Sequence, residues 1–131
     1  MSADIALRAM GVTMDCADVV RLADFWQAAL GFRTRTGDEL HTVTLSDSAN
    51  SRTINHLTLQ QVPEPKSAKH RLHIDLFPQD PASARAELLA LGATVLSEPD
   101  FAVPGHLGFH AVVMADPEGG EFCLVMRAPK D

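Results

Sequence analysis

Tyrosine is absent, and the chain of 131 residues has one tryptophan and six phenylalanines. Aromatics at 5% leave few side chains on which a flat planar ligand could stack. Lysine and arginine form no run, and the formal net charge is −6, which argues against nucleic acid as the main partner. No apolar run is long enough to cross a bilayer, so no membrane partner is expected. The opening residues, Met-Ser-Ala-Asp-Ile-Ala-Leu-Arg, lack the charged and apolar regions of a signal peptide. Cysteine occurs only at Cys16 and Cys123, without metal-motif spacing, and an intracellular chain keeps both reduced. Also missing are a Gly-rich phosphate loop after a strand, a Gly-x-Ser-x-Gly elbow and a His-Glu-x-x-His helix. Nucleotide binding, serine hydrolysis and zinc proteolysis therefore drop out. The expectation is a soluble cytoplasmic single domain, large enough to bury a core.

What the chain does contain is clearest near its end. An apolar run from His110 to Met114 meets Asp116-Pro117-Glu118-Gly119-Gly120, and a second apolar run leaves at once. Pro117 presets its own φ and the two glycines tolerate positive φ, so the stretch reads as a tight β-hairpin. On the outgoing strand Phe122, Leu124 and Met126 share one face, which suits packing. Glu121, Cys123 and Val125 share the other, which offers polar chemistry.

Met10–Cys16 alternates as a strand, with Val12, Met14 and Cys16 on one side. Asp18 follows as a helix N-cap, then Val19, Leu22, Phe25, Trp26, Ala29 and Leu30 at helical spacing, closed by Gly31. Strands are expected near 32–36, 40–46 and 54–62, with a polar loop over 47–52. Val62-Pro63-Glu64-Pro65-Lys66 cannot continue a central strand, because its prolines remove ladder donors. The pattern then restarts. A strand over 72–77 places His73, Asp75 and Phe77 on one side and Ile74 and Leu76 on the other. Asp80-Pro81 opens a second helix, with Leu88, Leu89 and Leu91 as its apolar stripe and Gly92 as its close. Three more strands are expected near 93–97, 108–115 and 120–127, with the Pro- and Gly-bearing loop over 98–107 as a mobile edge. A strand–helix–three-strand unit is thus used twice, over about 8–62 and 71–127, joined by a connector over about 63–70. The fold class is α+β, two tandem βαβββ modules.

This repeat, with Phe25-Trp26 and Leu30-Gly31-Phe32 around the end of the first helix and Asp116-Pro117-Glu118-Gly119 before the last strand, resembles the vicinal oxygen chelate superfamily. That group includes glyoxalase I, the bleomycin-resistance proteins and extradiol dioxygenases. Asp15-Cys16-Ala17-Asp18, Leu72-His73-Ile74-Asp75-Leu76 and the stretch from Asp116 to Cys123 resemble its glyoxalase-like branch. The resemblance implies curved sheets around a cleft, a small organic ligand and a homodimer. It also implies metal ligands on the first and last strands of each module. Carried over, the second module's first-strand ligand falls on His73, and the first module's equivalent falls on Gly11, which has no side chain. The last-strand glutamate position falls on Cys123, with Glu121 two residues earlier on the same face. The remaining ligand would come from the strand bearing His56, Thr58 and Gln60. A divalent metal, held by His73 and Glu121 if any, has an incomplete ligand set, so no cofactor is expected.

His73 is the leading candidate for acid/base work, since imidazole exchanges protons near neutrality, with Glu121 or Asp75 as its partner. The competing reading makes it a structural histidine hydrogen-bonded to Asp75. Cys123 is read either as a ligand contact or as a small inert hydrophobe. Asp15, His56, Thr58, Gln60 and Phe77 complete the expected ligand-binding set. Asp15 and Asp75 would face a cationic ligand, or else pair with Arg71, Lys66 or Lys69. His106 in the 98–107 loop is read as a substrate contact or a solvated loop residue. Two functions stand open: a lyase or isomerase acting on an oxygenated metabolite, and a non-catalytic protein that sequesters an antibiotic.

Overall fold

The computed structural model describes residues 10–47, 54–70, 72–105 and 108–128. Arg71 and His106 lie outside the described residues. The chain divides into two compact units, Met1–Pro65 and Lys66–Asp131, with the boundary inside the expected proline-bearing connector. Each unit has the βαβββ order that the repeat predicts.

The first unit contains β1 (Met10–Cys16), α1 (Val19–Leu30), β2 (Thr34–Gly37), β3 (Thr42–Ser46) and β4 (Ile54–Gln61). Its sheet runs β1-β4-β3-β2, with β1 and β4 parallel and the other pairs antiparallel. The Asp18 carboxylate accepts the Arg21 N–H at 3.1 Å and so caps α1. Gly31 ends the helix at φ 69°, a conformation that costs glycine nothing. The helix buries Val19, Leu22, Ala23, Phe25 and Trp26, as its spacing predicts, and packs on β3 and β4. The covered sheet face supplies Cys16, Val43, Leu45, Leu57 and Leu59. Each fully buried leucine here contributes about 2 kcal/mol from lost apolar hydration. The opposite face is polar: Thr13, Thr58, Thr44 and Thr36 stand in one register row across the four strands.

The second unit contains β5 (Ile74–Leu76), α2 (Pro81–Ala90), β6 (Thr94–Ser97), β7 (Phe109–Ala115) and β8 (Glu121–Arg127). Its order, β5-β8-β7-β6 with β5 and β8 parallel, repeats the first. Val112, Met114, Phe122 and Leu124 are buried on one face. Asp80 caps α2, and Pro81 occupies its first turn as expected. The apolar stripe differs from expectation. Only Leu88 is buried among the residues of α2, while Leu89 and Leu91 are 42% and 40% exposed. α2 meets its sheet over a narrower stripe than α1, which buries the adjacent pairs Leu22–Ala23 and Phe25–Trp26, so Leu89 is left outside the contact. Leu91 is the C-cap, and Gly92 closes the helix as expected: at φ 109° its N–H donates to the Leu89 carbonyl at 3.1 Å, and the Ala93 N–H donates to that of Leu88 at 3.0 Å.

The β7–β8 turn is organised by Asp116, which is 3% exposed. Its Oδ1 accepts the N–H groups of Glu118 and Gly120, both at 2.9 Å. Its own N–H donates to the Gly120 carbonyl at 2.8 Å, and the Gly119 N–H donates to the Asp116 carbonyl at 2.9 Å. Only Gly119 uses positive φ, at 84°. Gly120 serves a different need: a Cβ there would stand 2.7 Å from the Asp116 carboxylate.

Replacing Asp116 by alanine leaves a buried N–H without its acceptor, so urea unfolding should show a loss of about 2 kcal/mol. Asp116→Asn, which keeps an oxygen acceptor, should lose less than half of that. Equal losses in the two variants would contradict the acceptor role.

Candidate functional site

Strand alternation divides the second sheet into a packed face and an open face. Ile74, Leu76, Phe122, Leu124 and Met126 take the packed side. Asp75, Cys123 and Arg127 fall on the other, since Asp75 stands opposite Cys123 on β8 and Phe109 stands opposite Arg127. His73 precedes β5 by one residue, and its Nδ1 lies 3.1 Å from Asp75 Oδ1. One donor atom from each of His73, Asp75 and Cys123 lies within 4.8 Å of the others. His73 and Asp75 are exposed and Cys123 is half-buried.

The donor pattern sets the tautomer. A carboxylate oxygen accepts, so in the neutral imidazole the 3.1 Å contact selects the tautomer with hydrogen on His73 Nδ1 and a lone pair on Nε2. The Cys123 thiol is pushed up by partial burial, then by the Asp75 charge and by its hydrogen bond to Asp75, against a weaker opposing effect of Lys69. It is therefore a neutral thiol that donates to Asp75, not an activated nucleophile. Asp75 orients both neighbours.

Glu121, expected beside His73, is engaged elsewhere. Its Oε2 lies 3.2 Å from Lys66 Nζ and 3.7 Å from His70 Nδ1. The carboxylate side chain is 14% exposed. Burial works to raise its pKa, but the Lys66 hydrogen bond and the charges of Lys66 and His70 prevail and hold it below the usual carboxylate range. Lys66 thus pairs with Glu121, and His73 is the partner of Asp75.

Phe77 continues the open side beyond β5, with its ring edge-on to Phe109 at 5.8 Å between centroids. In the first unit, Asp15 stands opposite Gln60, and His56 opposite Gly11, where only hydrogen points outward. Thr58 shares a hydroxyl contact with Thr44 at 2.9 Å. These four expected residues line the open face of the first sheet. Sequence reasoning missed Lys66 and His70 as partners of Glu121, and Phe109 and Arg127 as partners on β7 and β8. Strand register carries the Phe109 and Arg127 signal, because the tight turn pairs residues at equal distances from it.

Gly11 offers no side-chain donor at the position where the resemblance implies a ligand in the first unit. His73, Asp75 and Cys123 instead offer nitrogen, oxygen and sulfur from the second unit alone. Nitrogen, oxygen and sulfur donors of this kind fit a soft divalent cation better than a hard one that demands six oxygens. Such binding would have to deprotonate the raised Cys123 thiol.

Comparison with known proteins agrees with this architecture. The profile of the glyoxalase-like domain family matches residues 11–125. A glyoxalase/bleomycin resistance protein/dioxygenase family enzyme from Burkholderia phytofirmans PsJN superposes with a TM-score of 0.68 at 16% identity, covering 88% of this chain and 94% of that one. A member of the glyoxalase/bleomycin resistance protein/dioxygenase superfamily from Sphaerobacter thermophilus DSM 20745 gives a TM-score of 0.65 at 21% identity, over 92% and 98% of the two chains. A possible glyoxalase from Bacillus cereus gives a TM-score of 0.65 at 20% identity, over 92% and 100%. No curated protein sequence matches.

The Glu121 pairing makes stability depend on pH in a defined direction. A carboxyl held below its ordinary pKa stabilises the fold fully above that ordinary value and loses its contribution as pH falls through the folded value. Wild type should therefore exceed Glu121→Gln in stability at neutral pH by about 1 kcal/mol, as expected for a partly exposed ion pair. The two should converge below the usual carboxylate range. Chemical denaturation at several pH values measures this, and a gap that persists in acid would refute the pairing.

Proposed function

Because the chain belongs to the glyoxalase-like domain family of the vicinal oxygen chelate superfamily, we propose that it binds a small oxygenated organic molecule on the open face of its second sheet. The reading rests on one observation, the His73–Asp75 contact beside Cys123 on a solvent-accessible strand face. In the enzymatic form, Asp75 holds the imidazole by Nδ1–H and His73 Nε2 is the acid/base. An isomerase step then needs no oxidant or reductant. In an α-hydroxy carbonyl the proton of the hydroxyl-bearing carbon passes to Nε2 and returns to the former carbonyl carbon, while the hydroxyl proton moves to the old carbonyl oxygen, so that the C=O ends on the neighbouring carbon. A lyase step uses the same base, with the proton and a leaving group departing from adjacent atoms.

A divalent cation held by His73, Asp75 and Cys123 would supply polarisation of a ligand oxygen. The metal-free reading is preferred here because the His73–Asp75 pair alone provides a positioned base. A homodimer and a cytoplasmic setting belong to the same proposal, by family likeness, and sedimentation of the purified chain tests the first. Sequestration without turnover would use the same face but leave the molecule unchanged.

Thermal-shift screening of small oxygenated metabolites, followed by mass spectrometry of the binders, separates the two readings: a new product supports catalysis and an unchanged ligand supports sequestration. For a turned-over substrate, His73→Ala should lower the rate about 10²–10⁴-fold. Chelation and Cys123→Ser should leave it unchanged. Loss of turnover in both of those would replace the metal-free reading with a metal-dependent one, and an unaffected His73→Ala variant would defeat the acid/base assignment.

A further inference from the structure

Arg127, the last residue of β8, differs from other arginines in what lies against it. Arg35 contacts Asp24 and Glu39, each at 2.7 Å, and Arg85 contacts Glu98 at 2.7 Å. Arg127 has a ring instead: its Cζ lies 4.2 Å from the centroid of Phe109, its cross-strand neighbour. Among the described residues no carboxylate pairs with it. A ring attracts the cation through its π-face but offers no oxygen to the guanidinium N–H donors. Those donors form a planar fork that matches a carboxylate. Room for the guanidinium is built into the backbone. Gly108 has φ 82°, and a Cβ there would stand 3.1 Å from Arg127 Nη1.

The second half of the feature is apolar. Phe77 meets Phe109 edge-on and is 66% exposed. A phenyl ring left in water to that extent gains when a ligand covers it. Arg127 and Cys123 are four residues apart on one strand face, about 13 Å. Phe77 is two residues from Asp75, about 7 Å along the chain. Phe77 therefore lies between the cation and the His73–Asp75–Cys123 group, with Phe109 beside the cation. Negative charge is repelled at that group by Asp75 and attracted at the other end by Arg127.

We infer that Phe77, Phe109 and Arg127 form the anion-recognising end of the ligand site, and that the ligand is a carboxylate with a flat or apolar body. The inference rests on the reading that the ligand lies on this sheet face, and it adds the chemical class that the face selects. The carboxylate takes the Arg127 fork, the body covers Phe77 and the reacting atoms reach His73.

The test uses three probes of one shape on the full-length protein: 3-phenylpropanoate, 3-phenylpropanamide and 3-phenylpropylamine. Binding is followed by amide and side-chain NMR shifts. The expected result is that the carboxylate binds at least about tenfold more tightly than the amide, equivalent to one fork-type ion pair, and the amine most weakly. Added salt should weaken the carboxylate more than the amide. Arg127→Gln should abolish the preference, Arg127→Lys should restore only part of it, and Phe77→Ala should weaken all three probes. Both residues are exposed, so the variants keep the buried core. Equal binding of carboxylate and amide, or no binding of the carboxylate, overturns the inference. If probes shift His73 and Cys123 without charge preference, the anion end fails while the ligand face stands. If Arg127-dependent binding leaves His73 and Cys123 unmoved, the anion end stands and its link to the reacting group fails.

Discussion

A strand has two sides and its residues alternate between them, and β8 exploits both. Phe122 and Leu124 are fully buried on one side, while Cys123 and Arg127 project on the other. Because the period is two, sliding the strand by one residue would bury the charge and expose the core. The apolar demand of Phe122 and Leu124 thus fixes the register of the chemistry. Asp116 adds a second lock: the turn it caps sets where β8 begins, so its hydrogen bonds help to align Cys123 with Asp75.

The two units share a strand order but not a surface chemistry. In the first, α1 buries five side chains, and the opposite sheet face carries threonine hydroxyls, His56, Asp15 and Gln60. In the second, α2 buries one, and the open face bears a histidine, two carboxylates, a thiol, two phenyl rings and an arginine. Repetition of a topology therefore specifies where side chains stand, not what they do. Among the described strands, the second unit is the one in which acid, base and cation occur together on one face of a sheet.

Much of this was legible in the residues. Period-two and period-3.6 patterns located all eight strands and both helices, since the core needs an apolar residue at each inward position. Asp18, Gly31, Asp80 and Pro81 announced their helix ends for local steric and hydrogen-bonding reasons. The leucines of α2 misled because apolar identity does not reveal which side a short helix turns inward. His73, Asp75 and Cys123 were individually visible from alternation. The His73–Asp75 contact was legible too, two residues apart on one face, but the hydrogen bond of Cys123 to Asp75 was not, because it depends on the parallel pairing of β5 with β8 across some fifty residues of intervening chain. Lys66 as the partner of Glu121 escaped because a long flexible side chain chooses its partner in three dimensions, whereas the pairing of Arg127 with Phe109 follows from the register of the turn.

In each sheet the first strand of the unit is hydrogen-bonded to the last, β1 to β4 and β5 to β8. During synthesis, neither opening strand has its ladder partner until the ribosome has made almost the whole unit. The hairpins β2–β3 and β6–β7 close over short separations, whereas the parallel pairs require long loops to close first. Folding in the cell should accordingly advance in two pulses, one when β4 emerges and a second only once β8 is free. Of the two units, the solvent face that bears Cys123 and Arg127 is the later surface to come into being.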